Sequence, residues 1–218
     1  MDVAQEKNEL RKRLRAERKA LDPDYRMRVD AEIARRTCEQ PVYREADAVF
    51  AYFAIGSEVD TQMIIRDALE QGKLVAIPRV VPGTRTMEWY RIDDFEGLEK
   101  SSFGVLEPVA NPARLVTPPR VDEDLAADTD AGAAADTDAD AAAAETSASA
   151  RGMRAIALVP GLAFDAQGFR LGYGAGFYDV FLSTFAGASI GLCRKRFLSP
   201  GPLPCDDFDL PVDMVITD

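Results

Sequence analysis

What most constrains this chain is the order of its short apolar runs. "DAVFAYFAI" (47–55) is followed by "TQMIIRDALEQG" (61–72), with apolar residues at helical spacing and Gly72 as a stop, and then by "KLVAIPRVV" (73–81). Short runs that are apolar throughout read as strands buried on both faces, and strand–helix–strand in sequence calls for parallel pairing through a crossover. "AIALVPGLAFD" (155–165), "GFYDVFLSTFA" (176–186) and "ASIGLC" (188–193) repeat that order, and "DMVITD" (213–218) adds a last short strand. "TMEWYRI" (86–92) alternates like a strand after a Pro82-Gly83 turn. Two helices precede the first strand. One is basic and amphipathic over 5–21, with Leu10, Leu14 and Leu21 on one face; the other starts near Asp22-Pro23. The expected fold is α/β, with an open, mostly parallel sheet flanked by helices. Ligands of such sheets bind beyond the carboxyl ends of the strands, which points to the loops at 54–60, 160–176 and 193–209.

Composition narrows the chemistry. The 218 residues suit one domain, 1–218, with 47% hydrophobic residues to fill a core. There is no histidine, which removes every mechanism built on a histidine base. Cys38, Cys193 and Cys205 are odd in number and widely spaced, against both a disulfide scaffold and a zinc site. No run approaches the roughly 20 apolar residues of a membrane span, and the N-terminus has no apolar leader, so a cytoplasmic location is expected. The net charge of −11 is local. Residues 121–150 carry nine acidic side chains and no Lys or Arg; without them 28 acidic side chains face 26 basic ones. That Ala/Asp/Thr-rich stretch reads as an insert, spanning about 115–150, that is disordered by composition, although its alanines would also allow partial helix. The near-neutral remainder argues against a nucleic-acid partner.

The densest motif is "GFRLGYGAGFYDVFL" (168–182), with four glycines ahead of a helix that carries Asp179. Glycines before a helix N-terminus let a phosphate approach unpaired N–H groups. The same glycines also serve a plain turn. Neither the P-loop nor the dinucleotide pattern is present. Asp179 either joins phosphate oxygens around Mg²⁺ or simply favours the first helical turn through the helix dipole.

"PGLAFDAQGFRLGYGAGFYD" resembles the signature of the 5-formyltetrahydrofolate cyclo-ligase family (5,10-methenyltetrahydrofolate synthetases). "KNELRKRLRAERKAL", "YFAIGSEVDTQMII", "GKLVAIPRV", "FGVLEPV" and "DDFDLPVDMVITD" resemble further blocks of that family, so the resemblance covers nearly everything except about 115–150. It implies a sheet like that of sugar-phosphate isomerases and CoA transferases (CoA-transferase-like). It also implies ATP-dependent cyclisation of 5-formyltetrahydrofolate to 5,10-methenyltetrahydrofolate, with ADP and phosphate released, ATP as co-substrate and Mg²⁺ as cofactor; a monomer is expected, acting on a substrate that is polyglutamylated or not.

Carried over residue by residue, the resemblance assigns ATP contacts to Lys7, Asn8, Glu9, Leu10 and Arg11. It assigns them also to Arg170, Leu171, Gly172, Tyr173, Gly174, Ala175, Gly176, Phe177 and Tyr178. Arg170 and Tyr178 are the catalytic candidates, Phe53 and Glu58 the folate contacts, and Asp179 and Asp209 the metal ligands. Plainer readings stand beside these: a solvated basic face for Lys7 and Arg11, a solvent-facing strand end for Glu58, core packing for Phe53. Four acids in "DDFDLPVD" compete for the role given to Asp209. The chain departs from the family at Ala175, where lysine or glycine is usual, at Phe177, and at Arg194 and Phe197. Arg194, Lys195 and Arg196 are candidates for replacement phosphate contacts. The alternative function is a non-catalytic nucleotide- or sugar-phosphate-binding module.

Overall fold

α1 (Val3–Lys19) and α2 (Pro23–Glu39) form where the amphipathic run and the Asp-Pro signal predict them. Asp22 caps α2 by accepting the Tyr25 N–H at 2.9 Å, and Pro23 sits in the first turn, where a missing N–H leaves nothing unpaired. The computed structural model describes residues 2–101, 104, 106–121, 148–150 and 152–218. After a short α3 (Pro41–Glu45) come β1 (Ala48–Phe50), α4 (Gln62–Glu70), β2 (Leu74–Val80) and β3 (Met87–Ile92). β4 (Leu98–Lys100), β5 (Leu106–Pro108), β6 (Leu115–Thr117) and β7 (Ala148–Ser149) follow. The rest is β8 (Ala155–Val159), β9 (Ala163–Phe164), β10 (Arg170–Leu171), α5 (Phe177–Leu182), β11 (Ala188–Leu192) and β12 (Met214–Ile216).

Eight strands form one sheet in the order β12-β11-β8-β1-β2-β3-β6-β7. The run from β12 to β2 is parallel, and β3 turns antiparallel against β2 through the Pro82-Gly83 turn. The sheet is therefore open and mostly parallel, with helices against it, as expected. β1 explains why its sequence is apolar at every position. Ala48 and Phe50 enter one core, with Trp89, Phe164 and Phe185; Val49 enters the other, with Ile33, Ile64, Ile77 and Leu158.

Two boundaries differ from the sequence reading. The strand predicted over 47–55 ends at Phe50. Beyond one further ladder bond, from the Ala51 N–H to the Ala76 carbonyl at 2.9 Å, the chain leaves the ladder and first turns at 56–57, and Tyr52 and Phe53 fill core while the Tyr52 hydroxyl donates to the Val59 carbonyl at 3.0 Å. Their aromatic bulk serves packing beneath a loop rather than a ladder. The stretch read as an insert, 115–150, overlaps the sheet at both ends. β6 pairs with β3, β7 pairs with β6, and Ala150 is fully buried. Residues 122–147 lie outside the described residues.

Candidate active site

In the order β11-β8-β1, three neighbouring parallel strands release their chains at the same edge. The loops that follow them therefore meet, and α1 lies across them. Lys7, Arg11, Arg15 and Arg18 recur at spacings of four, four and three, so they form one stripe on the helix. The stripe touches each loop in turn. Lys7 pairs with Asp206 at 2.7 Å and with Asp209. Arg11 Nε donates to the Gly172 carbonyl at 3.0 Å and Arg15 to the Tyr173 carbonyl at 2.8 Å. Arg18 donates to the carbonyls of Ser57, Gly161 and Leu162.

The glycine loop has the backbone that its sequence suggests. Gly174 has φ 105° and Gly176, the N-cap of α5, has φ 77°, both in the left-handed region. Against them Asn8, Arg11, Lys12 and Arg15 line an open groove of about 440 Å³, closed on the other side by Tyr173 and Gly174. Four of these six residues belong to one basic helix face, so the groove suits an anion. Asp179 stands in the first turn of α5. It accepts from Arg170 at 2.7 Å, and Arg170, almost wholly buried, also donates to the Leu210 carbonyl at 2.7 Å.

Glu58 is the unusual group. Only 7% of it is exposed, and burial pushes its carboxyl up to about 7, against the opposing pull of the Ile55 N–H, the Arg18 charge and the Tyr173 hydroxyl. The Ile55 N–H donates to it at 2.9 Å. Tyr173 and Tyr178 feel its charge, and burial raises both phenols well above their ordinary value. The Tyr173 hydroxyl approaches Glu58 without meeting hydrogen-bond geometry, and the Tyr178 hydroxyl has no partner among the described residues. Buried hydroxyls without partners are rare, and two beside one carboxyl mark a place where a polar ligand would complete the bonding.

The predicted residues divide clearly. Lys7, Asn8 and Arg11 reach the site. Glu9 instead accepts from Gln5 on the exposed face, and Leu10 packs against core. Leu171 is buried in β10, Ala175 is exposed at the loop tip, and Phe177 is half-buried. Phe53 packs edge-on to Phe95 with ring centroids 5.5 Å apart. Of the four acids near the C-terminus, Asp213 is committed to the Ser189 N–H and hydroxyl, Asp206 and Asp209 share Lys7, and Asp207 is exposed. Lys7 stands above the ordinary lysine value: burial pulls it down, and the two carboxylates outweigh that. Arg194 is a correction. It is fully buried and locked to Asp30, so it cannot be a replacement phosphate contact. Two structural residues escaped the sequence reading. Arg18 was legible as the continuation of the α1 stripe. Asp165, which accepts the N–H groups of Gln167, Phe169 and Leu203, lies within the family signature, but sequence reasoning assigned it no role.

Fold and site together define an α/β enzyme with a glycine loop and a basic helix at the carboxyl edge of its sheet. The 5-formyltetrahydrofolate cyclo-ligase family model matches residues 3–126 and 129–218, and the chain belongs to this family. It is similar to the 5-formyltetrahydrofolate cyclo-ligase of Mus musculus, 26% identical over 96% of this chain and 92% of that protein. It is also similar to the enzyme of the same name from Escherichia coli K12, 23% identical over 94% and 96%. The NMR structure of Aquifex aeolicus 5,10-methenyltetrahydrofolate synthetase superposes with a TM-score of 0.67 at 26% identity, covering 97% of this chain and 89% of that one. Among the described residues no helix is long and apolar enough to cross a membrane.

Proposed function

We propose that this chain cyclises 5-formyltetrahydrofolate to 5,10-methenyltetrahydrofolate with ATP, releasing ADP and phosphate, through a phosphorylated formyl intermediate. A formamide oxygen is a poor leaving group. Its attack on the γ-phosphorus of ATP expels ADP and makes it a good one. The second amine nitrogen of the folate then attacks the formyl carbon, the C–O bond breaks as phosphate leaves, and the nitrogen gives up its proton. Such chemistry needs positioning and neutralised charge rather than a covalent nucleophile, which suits a chain without histidine.

The observation that carries this reading is the juxtaposition of the groove under α1 with the buried Glu58 carboxyl, since Tyr173 belongs to both. In this reading Asn8, Arg11 and the loop from Gly172 to Gly176 hold the triphosphate, and Lys7 meets it from the helix end. Arg170 and Tyr178 sit where phosphoryl transfer would occur. Glu58 grips the pterin's amino and ring N–H groups, as a carboxylate can accept two bonds side by side, and Phe53 backs that loop from the core.

Among the described residues no three His, Cys, Asp or Glu side chains gather into a metal cage. Mg²⁺ usually takes one or two protein carboxylates and completes its shell with phosphate oxygens and water. Asp179, held by Arg170 at 2.7 Å, and Asp209, held by Lys7, are the carboxylates that would be offered to an ion arriving with the nucleotide, and such an ion would supply neutralising charge on the phosphates. The protein is read as a cytoplasmic monomer taking free or polyglutamylated 5-formyltetrahydrofolate as substrate, and its three unpaired thiols agree with a reducing compartment. The reading is tested by titrating ATP and folate separately: Arg11→Ala should weaken ATP about tenfold and leave folate unchanged, and the reverse outcome would move the nucleotide elsewhere.

A further inference from the structure

The loop 55–60 that carries Glu58 belongs to no helix or strand, yet its main chain is held at almost every residue by side chains from elsewhere. The Gly56 carbonyl accepts from Arg26 at 2.6 Å. The Ser57 carbonyl accepts from Arg18 Nε at 3.1 Å, from its terminal nitrogen at 2.9 Å, and from Arg194 at 2.9 Å. The Glu58 carbonyl accepts from Arg194 at 2.8 Å and the Val59 carbonyl from the Tyr52 hydroxyl. The Asp60 N–H donates to Asp30 at 3.2 Å. Two of the donors, Arg18 and Arg194, are essentially inaccessible, at 1% and 0% exposed. Asp30 binds Arg194 through both its oxygens, each at 2.7 Å, in the fork geometry that guanidinium and carboxylate favour. The Arg18 guanidinium lies over the face of Phe197, 5.2 Å from the ring centroid, and has no carboxylate partner among the described residues.

Burying two guanidiniums is expensive, and a buried ion pair of this kind is weak evidence of a gain in stability. What these groups do achieve is geometric. A planar fork that donates several bonds to fixed carbonyls leaves a loop one position. Two distant parts of the chain, α1 through Arg18 and the segment after β11 through Arg194, converge on one peptide carbonyl, α2 fixes Arg194 through Asp30, and the next residue is the buried carboxyl. We propose that Arg18, Arg194 and Asp30 are positioning residues for the reaction: they clamp the Ser57 carbonyl and so aim the Glu58 carboxyl at the folate. The proposal rests on the reading of Glu58 as a folate contact. It also gives a reason for the departure from the family at Arg194, which serves the folate side of the site and not the phosphates.

The test uses the full chain and calorimetric binding of 5-formyltetrahydrofolate without ATP, with ATP KM measured in parallel. Glu58→Gln, Arg18→Lys and Asp30→Asn are compared singly, and the last two also in the Glu58→Gln background. Lysine keeps the charge of Arg18 and loses its fork; asparagine keeps the shape of Asp30 and loses its charge. The expected result is a folate Kd raised roughly tenfold in each single variant, with ATP KM within about twofold of wild type, and less than about twofold further loss when either is added to Glu58→Gln. Losses that multiply in the double variants, or equal losses for ATP and folate, would overturn the clamp and leave only a structural role. An unchanged folate Kd in Arg18→Lys and Asp30→Asn, with Glu58→Gln still weakened, would overturn the clamp alone. An unchanged Kd in Glu58→Gln would overturn the underlying folate reading. If either clamp variant fails to fold, Tyr52→Phe removes the bond to the Val59 carbonyl without removing a charge. It should then raise the folate Kd a few-fold, roughly, and an unchanged Kd there counts against the clamp.

Discussion

Glu58 gives the account its pH dependence. Its ordinary value is 4.5 and its folded value about 7, so between these the folded state binds more protons than the unfolded one. The stability linked to this carboxyl is therefore complete below about pH 4.5 and is lost as pH rises to about 7, an effect of about 3 kcal/mol. Glu58→Gln should remove that slope, and chemical denaturation at pH 5 and pH 8 reads it directly. Folate binding should run the other way. The ionised carboxylate makes the bonds, so wild-type affinity should rise as pH passes 7, against Arg18, Tyr52, Tyr173 and Tyr178 as the charged or titratable neighbours. A flat profile in wild type would remove the role given to Glu58. Asp179 makes a second case at this scale. Asp179→Ala removes the charged partner of Arg170, which keeps its bond to the Leu210 carbonyl, and should cost about 2 kcal/mol as well as turnover, whereas Asp179→Asn keeps an acceptor and should lose turnover with little stability. Thermal unfolding of the two variants beside wild type separates these effects.

At the scale of elements, α1 is a strap whose basic stripe binds the three site loops, and the glycine loop is shaped to receive it. A Cβ on Gly174 would lie 3.6 Å from the Arg11 guanidinium, ordinary contact, but at φ 105° the backbone itself resists a side chain. Gly174→Ala should raise ATP KM several-fold, roughly, through loop strain, with folate binding unchanged; calorimetric titration of both ligands checks it. Much of this level was legible in sequence. Helix and strand order followed from periodicity, and the start of α5 at the glycines followed from their spacing. What escaped was whatever depends on partners far along the chain. Arg194 reads as one of three surface cations in "CRKRF", yet it is the one whose carbonyl and carboxylate partners come from α2 and from residues 57 and 58. Tyr52 and Phe53 read as strand because their bulk suits a sheet; their burial was legible, but the end of the ladder at Ala51 was not.

On the scale of the whole molecule, the two described ends of the acidic segment, at 121 and 148, are tied into the fold. β6 and β7 are parallel neighbours, with Val116 opposite Ala148, so the chain between them must cross over. The last described residue before 122–147, Val121, donates its N–H to the Thr184 carbonyl, just past the end of α5. Shortening 122–147 to about a dozen residues, the least a parallel crossover needs, should leave turnover unchanged, whereas joining 121 directly to 148 should unpair β7. Turnover and unfolding temperature of the two deletions test this. The most direct measurement of the central claim is absorbance at the methenyl-folate band when the protein is mixed with 5-formyltetrahydrofolate, Mg²⁺ and ATP. The account predicts a rise that requires ATP and is lost in Asp179→Asn and strongly reduced in Glu58→Gln at unchanged fold. A flat trace from folded wild-type protein, or a rise indifferent to ATP, would contradict it.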